Sequence, residues 1–151
     1  MSTNDQIICV KWEGPLGTQA ALNLLDEQRD YGLYQIYGAH PVYGPHVLLY
    51  VGKAREQAFG IRLEQELDDL FSDTEVSSVY VGRIAGERTL NLDRWRQEID
   101  QAEQLLIYSH IPAYNSQSIT SLDYERLKAV RVISLGNRGS LAGDVPLSVE
   151  S

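Results

Sequence analysis

The stretch that decides the fold runs from residue 31 to residue 54 and reads YGLYQIYGAHPVYGPHVLLYVGKA. Its segments GLYQIYG (32–38) and VLLYVG (47–52) are rich in aromatic and apolar residues that favour strands. Residues 39–46 between them contain two prolines and a glycine, which interrupt strands. The pattern predicts a β-hairpin whose long connecting loop carries His40, Tyr43 and His46.

The sequence on either side of the hairpin alternates between helical and strand patterns. Strands are predicted at 7–12, 78–84 and 129–135, and helices at 18–29, 55–72 and 92–110, with a short helical turn at 123–128. This order predicts an α+β fold, a small antiparallel or mixed β-sheet flanked by helices. We expect a single domain over residues 1–135 and a flexible tail over 136–151.

Composition narrows the classes of protein to which the chain can belong. The absence of an apolar run of about 20 residues argues against a membrane-spanning helix, and the polar start MSTNDQ is unlike a secretory signal, so a cytoplasmic protein without a membrane partner is expected. Cys9 is the only cysteine, which excludes an internal disulfide and a multi-cysteine metal site.

The net charge of −8 bears on binding to nucleic acid. Proteins that hold nucleic acid through its phosphates usually present a basic surface. Residues 63–75 are acidic without a basic residue, whereas residues 53–62 contain Lys53, Arg55 and Arg62. Any site for a polyanion is therefore expected to be small and to lie near these three cations.

Two tyrosines of the hairpin are candidates for chemistry. Strand alternation places Tyr34 and Ile36 on one face, and a suitable register brings Tyr34 beside Tyr50. Cross-strand aromatic packing that only stabilises the sheet is the alternative, and the hairpin alone favours it.

Two cations follow the hairpin. Lys53 comes directly after Gly52, where the chain turns toward a predicted helix, a place that suits a phosphate. A solvated lysine at a strand end is the simpler alternative. Arg62 lies beside the apolar stripe of the predicted helix, and either it points toward the hairpin or it pairs with Glu66 four residues later.

Glu103 departs from the apolar pattern of the third predicted helix. It lies four residues from both Ile99 and Ile107, on or beside the stripe that faces the core. A carboxylate there is costly to bury unless it is paired, hydrogen-bonded or bound to a metal such as Mg²⁺ or Mn²⁺. An ordinary surface glutamate at the edge of the stripe is the alternative. Asn115 follows in a loop, where asparagine commonly forms local turns.

These features occur in an order that resembles the GIY-YIG nuclease superfamily. The matching segments are GLY (32–34), YVGK (50–53), Arg62, EQLLI (103–107) and PAYN (112–115). The resemblance covers residues 31–116, and the replacement of isoleucine by leucine or valine in the two triplets is conservative. A chance match would require at least five residues and their element order to agree.

The resemblance implies a small sheet flanked by helices and an endonuclease that hydrolyses phosphodiester bonds with one divalent cation, Mg²⁺ or Mn²⁺. Glu103 would hold the metal and Arg62 would contact the scissile phosphate, while Tyr34 and Tyr50 would position or deprotonate water. The substrate-binding residues implied are Gly52, Lys53 and Asn115. A tyrosine base needs nearby cations, because its ordinary pKa is about 10. The expected partner is nucleic acid, with DNA favoured over RNA, and a partner protein can add affinity.

The chain departs from the family pattern at three places. The connection between the triplets is long, and Arg62 follows Tyr50 at a wider spacing than usual, which makes Arg55 a second, weaker candidate. Glu66 stands where many members have histidine or tyrosine. It can pair with Arg62, bind metal or act as a base. The alternative function is therefore a GIY-YIG fold that does not cut and serves as a protein- or nucleic-acid-binding module.

Overall fold

The computed structural model describes residues 6–85, 92–115 and 127–146. The strands are β1 (Gln6–Leu16), β2 (Gly32–His40), β3 (Gly44–Ala54), β4 (Val76–Ile84), β5 (Val130–Gly136) and β6 (Asp144–Pro146). The helices are α1 (Thr18–Leu22), α2 (Phe59–Asp69) and α3 (Leu92–His110). In this part of the chain no helix is long and apolar enough to cross a membrane.

The six strands form one mixed sheet in the order β3-β2-β4-β1-β5-β6. Only β1 and β5 are parallel, and every other neighbouring pair is antiparallel. The α+β fold with a mixed sheet and helices is therefore confirmed. In the predicted hairpin, Tyr34 of β2 lies opposite Gly52 of β3.

The sheet buries apolar side chains on both faces, because consecutive residues of a strand point in opposite directions. Leu33 belongs to a core that contains residues of α3, such as Ile99 and Leu106. Tyr34 belongs to a second core that contains Phe59 and Leu63 of α2. Helices α2 and α3 therefore cover opposite faces of the sheet, and residues near its β3 edge can contact both.

The connection inside the hairpin is shorter than the sequence predicted. Strand β2 continues to His40 and β3 begins at Gly44, so three residues form the turn. The ring of His40 ends the strand, because its Nδ1 accepts hydrogen bonds from the backbone N–H groups of Val42 (3.1 Å) and Tyr43 (3.2 Å). The prediction of a long loop over 39–46 was wrong.

Helix boundaries were predicted with mixed success. Helix α3 spans the predicted residues 92–110. Helix α1 ends at Leu22 instead of residue 29, because the following segment bonds elsewhere: Gly60 donates to the carbonyl of Leu24 (2.8 Å), and the carboxylate of Asp30 accepts from the Asp26 N–H (2.9 Å).

Residues 136–146 of the expected tail pack on the domain. Strand β6 pairs with β5, and Leu141 and Val145 are buried. The Ser140 N–H donates to the hydroxyl of Tyr37 (2.7 Å), which fixes the connecting segment. Residues 147–151, and residues 123–126 of the expected helical turn, lie outside the described residues.

Candidate functional site

Tyr34 lies at the centre of the site and is completely buried. Its ring crosses Gly52 on the neighbouring strand, and a Cβ atom added to Gly52 would lie 2.5 Å from both Cζ and Oη of Tyr34. Position 52 therefore needs glycine to admit the tyrosine ring. The glycine of the second triplet thus contacts the tyrosine of the first.

The hydroxyl of Tyr34 donates a 2.7 Å hydrogen bond to Oε1 of Glu66 on α2. The same oxygen lies 3.0 Å from Nη2 of Arg62, one helical turn earlier. Glu66 is only 6% exposed, and a carboxylate this buried needs such partners. The predicted Arg62–Glu66 pair is present, and Tyr34 is a third member that sequence periodicity did not reveal.

Tyr50 lies beside this group, with its ring centroid 6.1 Å from that of Tyr34. Burial, followed by the charges of Glu66 and Glu103, raises the pKa of Tyr50 to about 12, although Arg62 acts in the opposite direction. Burial and then Glu66 also raise the pKa of Tyr34 well above its ordinary value. Both hydroxyls are therefore protonated at neutral pH, and the nearby cations do not lower their pKa below the ordinary value.

Glu103 extends from α3 toward the end of β3. Its Oε1 lies 3.5 Å from Nζ of Lys53, which also lies 2.9 Å from Oδ1 of Asp100. Arg55 adds a second cation, with Nε 3.1 Å from the same Asp100 oxygen. Burial raises the pKa of Glu103, while Lys53 and, more weakly, Arg62 oppose the shift and Asp100 adds to it. Glu103 therefore faces the predicted site.

Asp100 belongs to this group, although its place in the sequence did not single it out. It precedes Glu103 by three residues in α3, so both carboxylates lie on one face of the helix and converge on Lys53. That spacing was visible in the sequence. Its meaning was not, because it depends on the position of Lys53 at the end of β3.

Lys53 and Arg55 also line a surface cavity of about 210 Å³ at the end of β3, together with Arg62 of α2. Each cation already has carboxylate partners, namely Glu66, Asp100 or Glu103. The cations and carboxylates largely neutralise each other. An incoming phosphate must therefore compete with these carboxylates for the cations.

Asn115 binds the backbone of β3 on both sides of Val51. Its Oδ1 accepts from the Val51 N–H (2.8 Å), and its Nδ2 donates to the Val51 carbonyl (3.0 Å). The adjacent Tyr114 N–H donates to the carbonyl of Leu49 (2.8 Å). Asn115 thus holds the edge strand directly beside Gly52, and a direct contact with substrate stays a prediction.

Asp100 and Glu103 are the two carboxylates that converge on Lys53, and they are candidate ligands for a divalent cation. Within 6–85, 92–115 and 127–146, no group of three or more His, Cys, Asp or Glu side chains could hold a metal ion. Mg²⁺ keeps several waters and often uses only one or two protein carboxylates. The two carboxylates, which share the ammonium of Lys53, fit such a cation by their chemistry.

Comparison with known proteins adds no relative from which a role could be transferred. No protein family, curated protein or solved structure matches this chain.

Proposed function

We propose that the chain is a GIY-YIG-type endonuclease that hydrolyses phosphodiester bonds in nucleic acid with one divalent cation. The convergence of Tyr34, Tyr50, Arg62 and Glu103 supports the proposal. These residues come from β2, β3, α2 and α3. The ring centroids of Tyr34 and Tyr50 are 6.1 Å apart. Arg62 is joined to Tyr34 through Glu66, and Glu103 lies 3.5 Å from Lys53. Such a cluster combines groups that could bind a phosphate with groups that could orient water.

The cations provide the part that would bind a phosphate. Lys53, Arg55 and Arg62 line the cavity at the end of β3. The Arg62 side chain is 39% exposed, and its guanidinium has five N–H donors, more than its bonds to Glu66 and Gln65 require. Arg62 can therefore donate to a phosphate oxygen while it remains paired with Glu66.

Glu66 would be the base for the attacking water. The oxygen of the water forms the new bond to phosphorus, and one water proton passes to the Glu66 carboxylate, which the 2.7 Å hydrogen bond from the buried Tyr34 hydroxyl holds in place. The leaving oxygen takes a proton from solvent as its bond to phosphorus breaks. In this scheme Tyr34 positions the base, and the half-buried Tyr50 positions the water.

Glu103, with Asp100 beside it, would hold Mg²⁺ or Mn²⁺. A bound divalent cation supplies charge stabilisation for the phosphoryl and leaving oxygens. Burial disfavours the charged form of Glu103, and a cation with a higher charge than Lys53 would favour it.

A GIY-YIG fold that binds but does not cut is the second candidate function. One observation favours this candidate. Glu66 binds both the hydroxyl of Tyr34 and the guanidinium of Arg62, so both groups already have a partner within the protein. The orientation of Glu103 toward Lys53 supports the nuclease instead. In both cases the expected partner is nucleic acid, with DNA favoured over RNA, and a partner protein could supply affinity that a net charge of −8 does not.

A cleavage screen tests the proposal. Single-stranded, duplex and flapped DNA and RNA are incubated with the protein and Mg²⁺, Mn²⁺ or EDTA. We expect metal-dependent cleavage that Glu103→Ala and Arg62→Ala abolish. The matched controls are Glu98→Ala, a carboxylate of α3 that pairs with Arg94, and Arg131→Ala, which removes a cation paired with Asp144. Binding without cleavage by the wild-type protein would favour the second candidate.

A further inference from the structure

Five aromatic rings, Tyr50, Phe71, Tyr114, His40 and Tyr43, form a continuous row, here called the aromatic strip. Successive ring centroids are 5.9 Å apart for Tyr50–Phe71, 5.6 Å for Phe71–Tyr114, 5.7 Å for Tyr114–His40 and 4.5 Å for His40–Tyr43. Tyr50 is also a residue of the candidate site, so the aromatic strip begins at that site. The strip ends with Tyr43 at the turn of the β2–β3 hairpin.

The rings of the aromatic strip differ in exposure, and Tyr43 at the hairpin turn is the most exposed of them. Phe71 is buried at 3%, Tyr114 is 36% exposed, and Tyr43 is 67% exposed. Packing of a core explains Phe71 but does not explain why Tyr43 lies in solvent. The stacking of Tyr43 on His40, with an angle of 21° between the rings, leaves the outer part of the strip accessible.

The exposed end of the aromatic strip is held in place by the backbone. Nδ1 of His40 accepts hydrogen bonds from the N–H groups of Val42 and Tyr43. Tyr114 is fixed from two sides, by its N–H bond to the Leu49 carbonyl and by its ring contact with Phe71. Rings fixed in this way lose little conformational entropy when a flat ligand stacks on them.

We propose that the exposed rings of the aromatic strip, Tyr114 and Tyr43, stack the unpaired bases of single-stranded nucleic acid, and that the strand continues from these rings to the phosphate site at Lys53 and Arg62. The direction of the strand rests on the proposed function. Every base has a face that can stack on an aromatic ring, so this contact requires neither a base sequence nor a positive charge. A chain with a net charge of −8 gains little affinity from phosphates and benefits from a contact of this kind.

The same argument selects unpaired over paired substrates. In a duplex the base faces are stacked on one another, and exposing them costs unpairing energy. Single-stranded DNA, single-stranded RNA and the single-stranded arm of a flap all present free base faces. We therefore expect the protein to prefer a strand with unpaired bases to the matched duplex at equal salt concentration.

Binding measured in EDTA, where metal-dependent cleavage cannot occur, tests the inference. The probes are fluorescently labelled oligo(dT) and oligo(U), with a matched duplex as competitor. Tyr43→Ala should raise the Kd for both probes about tenfold, the loss of one base–aromatic stack. Tyr43→Phe should bind like the wild-type protein, because stacking uses the ring and not the hydroxyl. Tyr108→Ala is the matched control, an exposed tyrosine (45%) on α3.

The salt dependence separates stacking from charge effects. Added salt should weaken binding by the wild-type protein and by Tyr43→Ala in parallel, so that the ratio of their Kd values is unchanged. The inference is overturned if neither probe binds, if Tyr43→Ala and Tyr108→Ala have the same effect, or if the duplex competes as well as the single strand. A strip that docks a protein instead would give the first of these results.

Failure of the inference can be told apart from failure of the proposed function. Tyr43-dependent binding without metal-dependent cleavage would leave the inference standing and remove the nuclease function. Metal-dependent cleavage together with unchanged binding by Tyr43→Ala and by Tyr114→Leu would support the nuclease function and overturn the inference.

Discussion

Tyr34→Phe removes one hydroxyl and nothing else from the centre of the site. The lost hydrogen bond is 2.7 Å long and its acceptor, Glu66, is only 6% exposed. A hydrogen bond to a charged group contributes about 1.5–3 kcal/mol, and Glu66 keeps its bond to Arg62, so we expect a loss of about 2 kcal/mol. For a chain of 151 residues this lowers Tm by about 4–8 °C.

Urea denaturation followed by tryptophan fluorescence and circular dichroism measures this loss. The midpoint should fall at an unchanged m-value, and Tyr108→Phe, at an exposed position, should unfold like the wild-type protein. In a Glu66→Gln background the same change should cost only about 1 kcal/mol, because the remaining acceptor is neutral. A loss below about 0.5 kcal/mol for Tyr34→Phe, or an equal loss in both backgrounds, would refute the assigned Tyr34–Glu66 interaction.

Three further changes probe the support of the site. Gly52→Ala places Cβ 2.5 Å from the buried ring of Tyr34 and should cost about 1–3 kcal/mol in urea denaturation, whereas Gly17→Ala, with open space around it, should cost far less. Asn115→Ala removes two buried hydrogen bonds to the β3 backbone and should lower the free energy of unfolding by about 2 kcal/mol or more. Asn115→Asp keeps an oxygen acceptor but loses the amide donor, so it should cause an equal loss only if the donor contributes most of the stabilisation. Glu103→Gln should gain stability relative to the wild-type protein as pH rises. The folded-state pKa of Glu103 lies above its ordinary value of 4.5, so the protonated form stabilises the fold at low pH and that contribution is lost as pH rises through the folded pKa. Thermal unfolding of both proteins at pH values from below 4.5 upward checks this direction. A stability difference between Glu103→Gln and the wild-type protein that shrinks as pH rises would contradict it.

Local patterns were enough to predict most of the fold. Helix α3 was predicted with its bounds because its apolar residues recur at helical spacing over 19 residues. The hairpin was also predicted, but its short turn was not. The His40 ring accepts hydrogen bonds from the N–H groups of Val42 and Tyr43, and residue propensities do not predict such a side-chain contact. Strand β6 has only three residues and exists because β5 offers it an edge, which makes it invisible to local patterns.

The sequence named most residues of the candidate site but indicated few of the bonds between them. The order of Tyr34, Tyr50, Arg62 and Glu103 was available from the sequence. The fold places Tyr34 beside Tyr50 and joins it to Arg62 through Glu66, and it places Glu103 beside Lys53. The hydrogen bond from Tyr34 to Glu66 joins residues 32 positions apart, on a strand and a helix. Such a contact depends on how α2 packs against β2, and periodicity within either element does not specify it. Burial also raised the tyrosine pKa values, where the sequence suggested that cations would lower them.

The rate of metal-dependent cleavage under single-turnover conditions tests the central claim most directly. A single-stranded oligonucleotide is mixed with excess protein, and the cleavage rate is followed as Mg²⁺ or Mn²⁺ is increased. We predict that the rate of the wild-type protein saturates with metal and vanishes in EDTA, and that Glu103→Gln and Arg62→Ala each lower it by about 10²-fold or more while Glu98→Gln does not. Cleavage by Glu103→Gln at the wild-type rate, or no cleavage by the wild-type protein with either metal, would contradict the account.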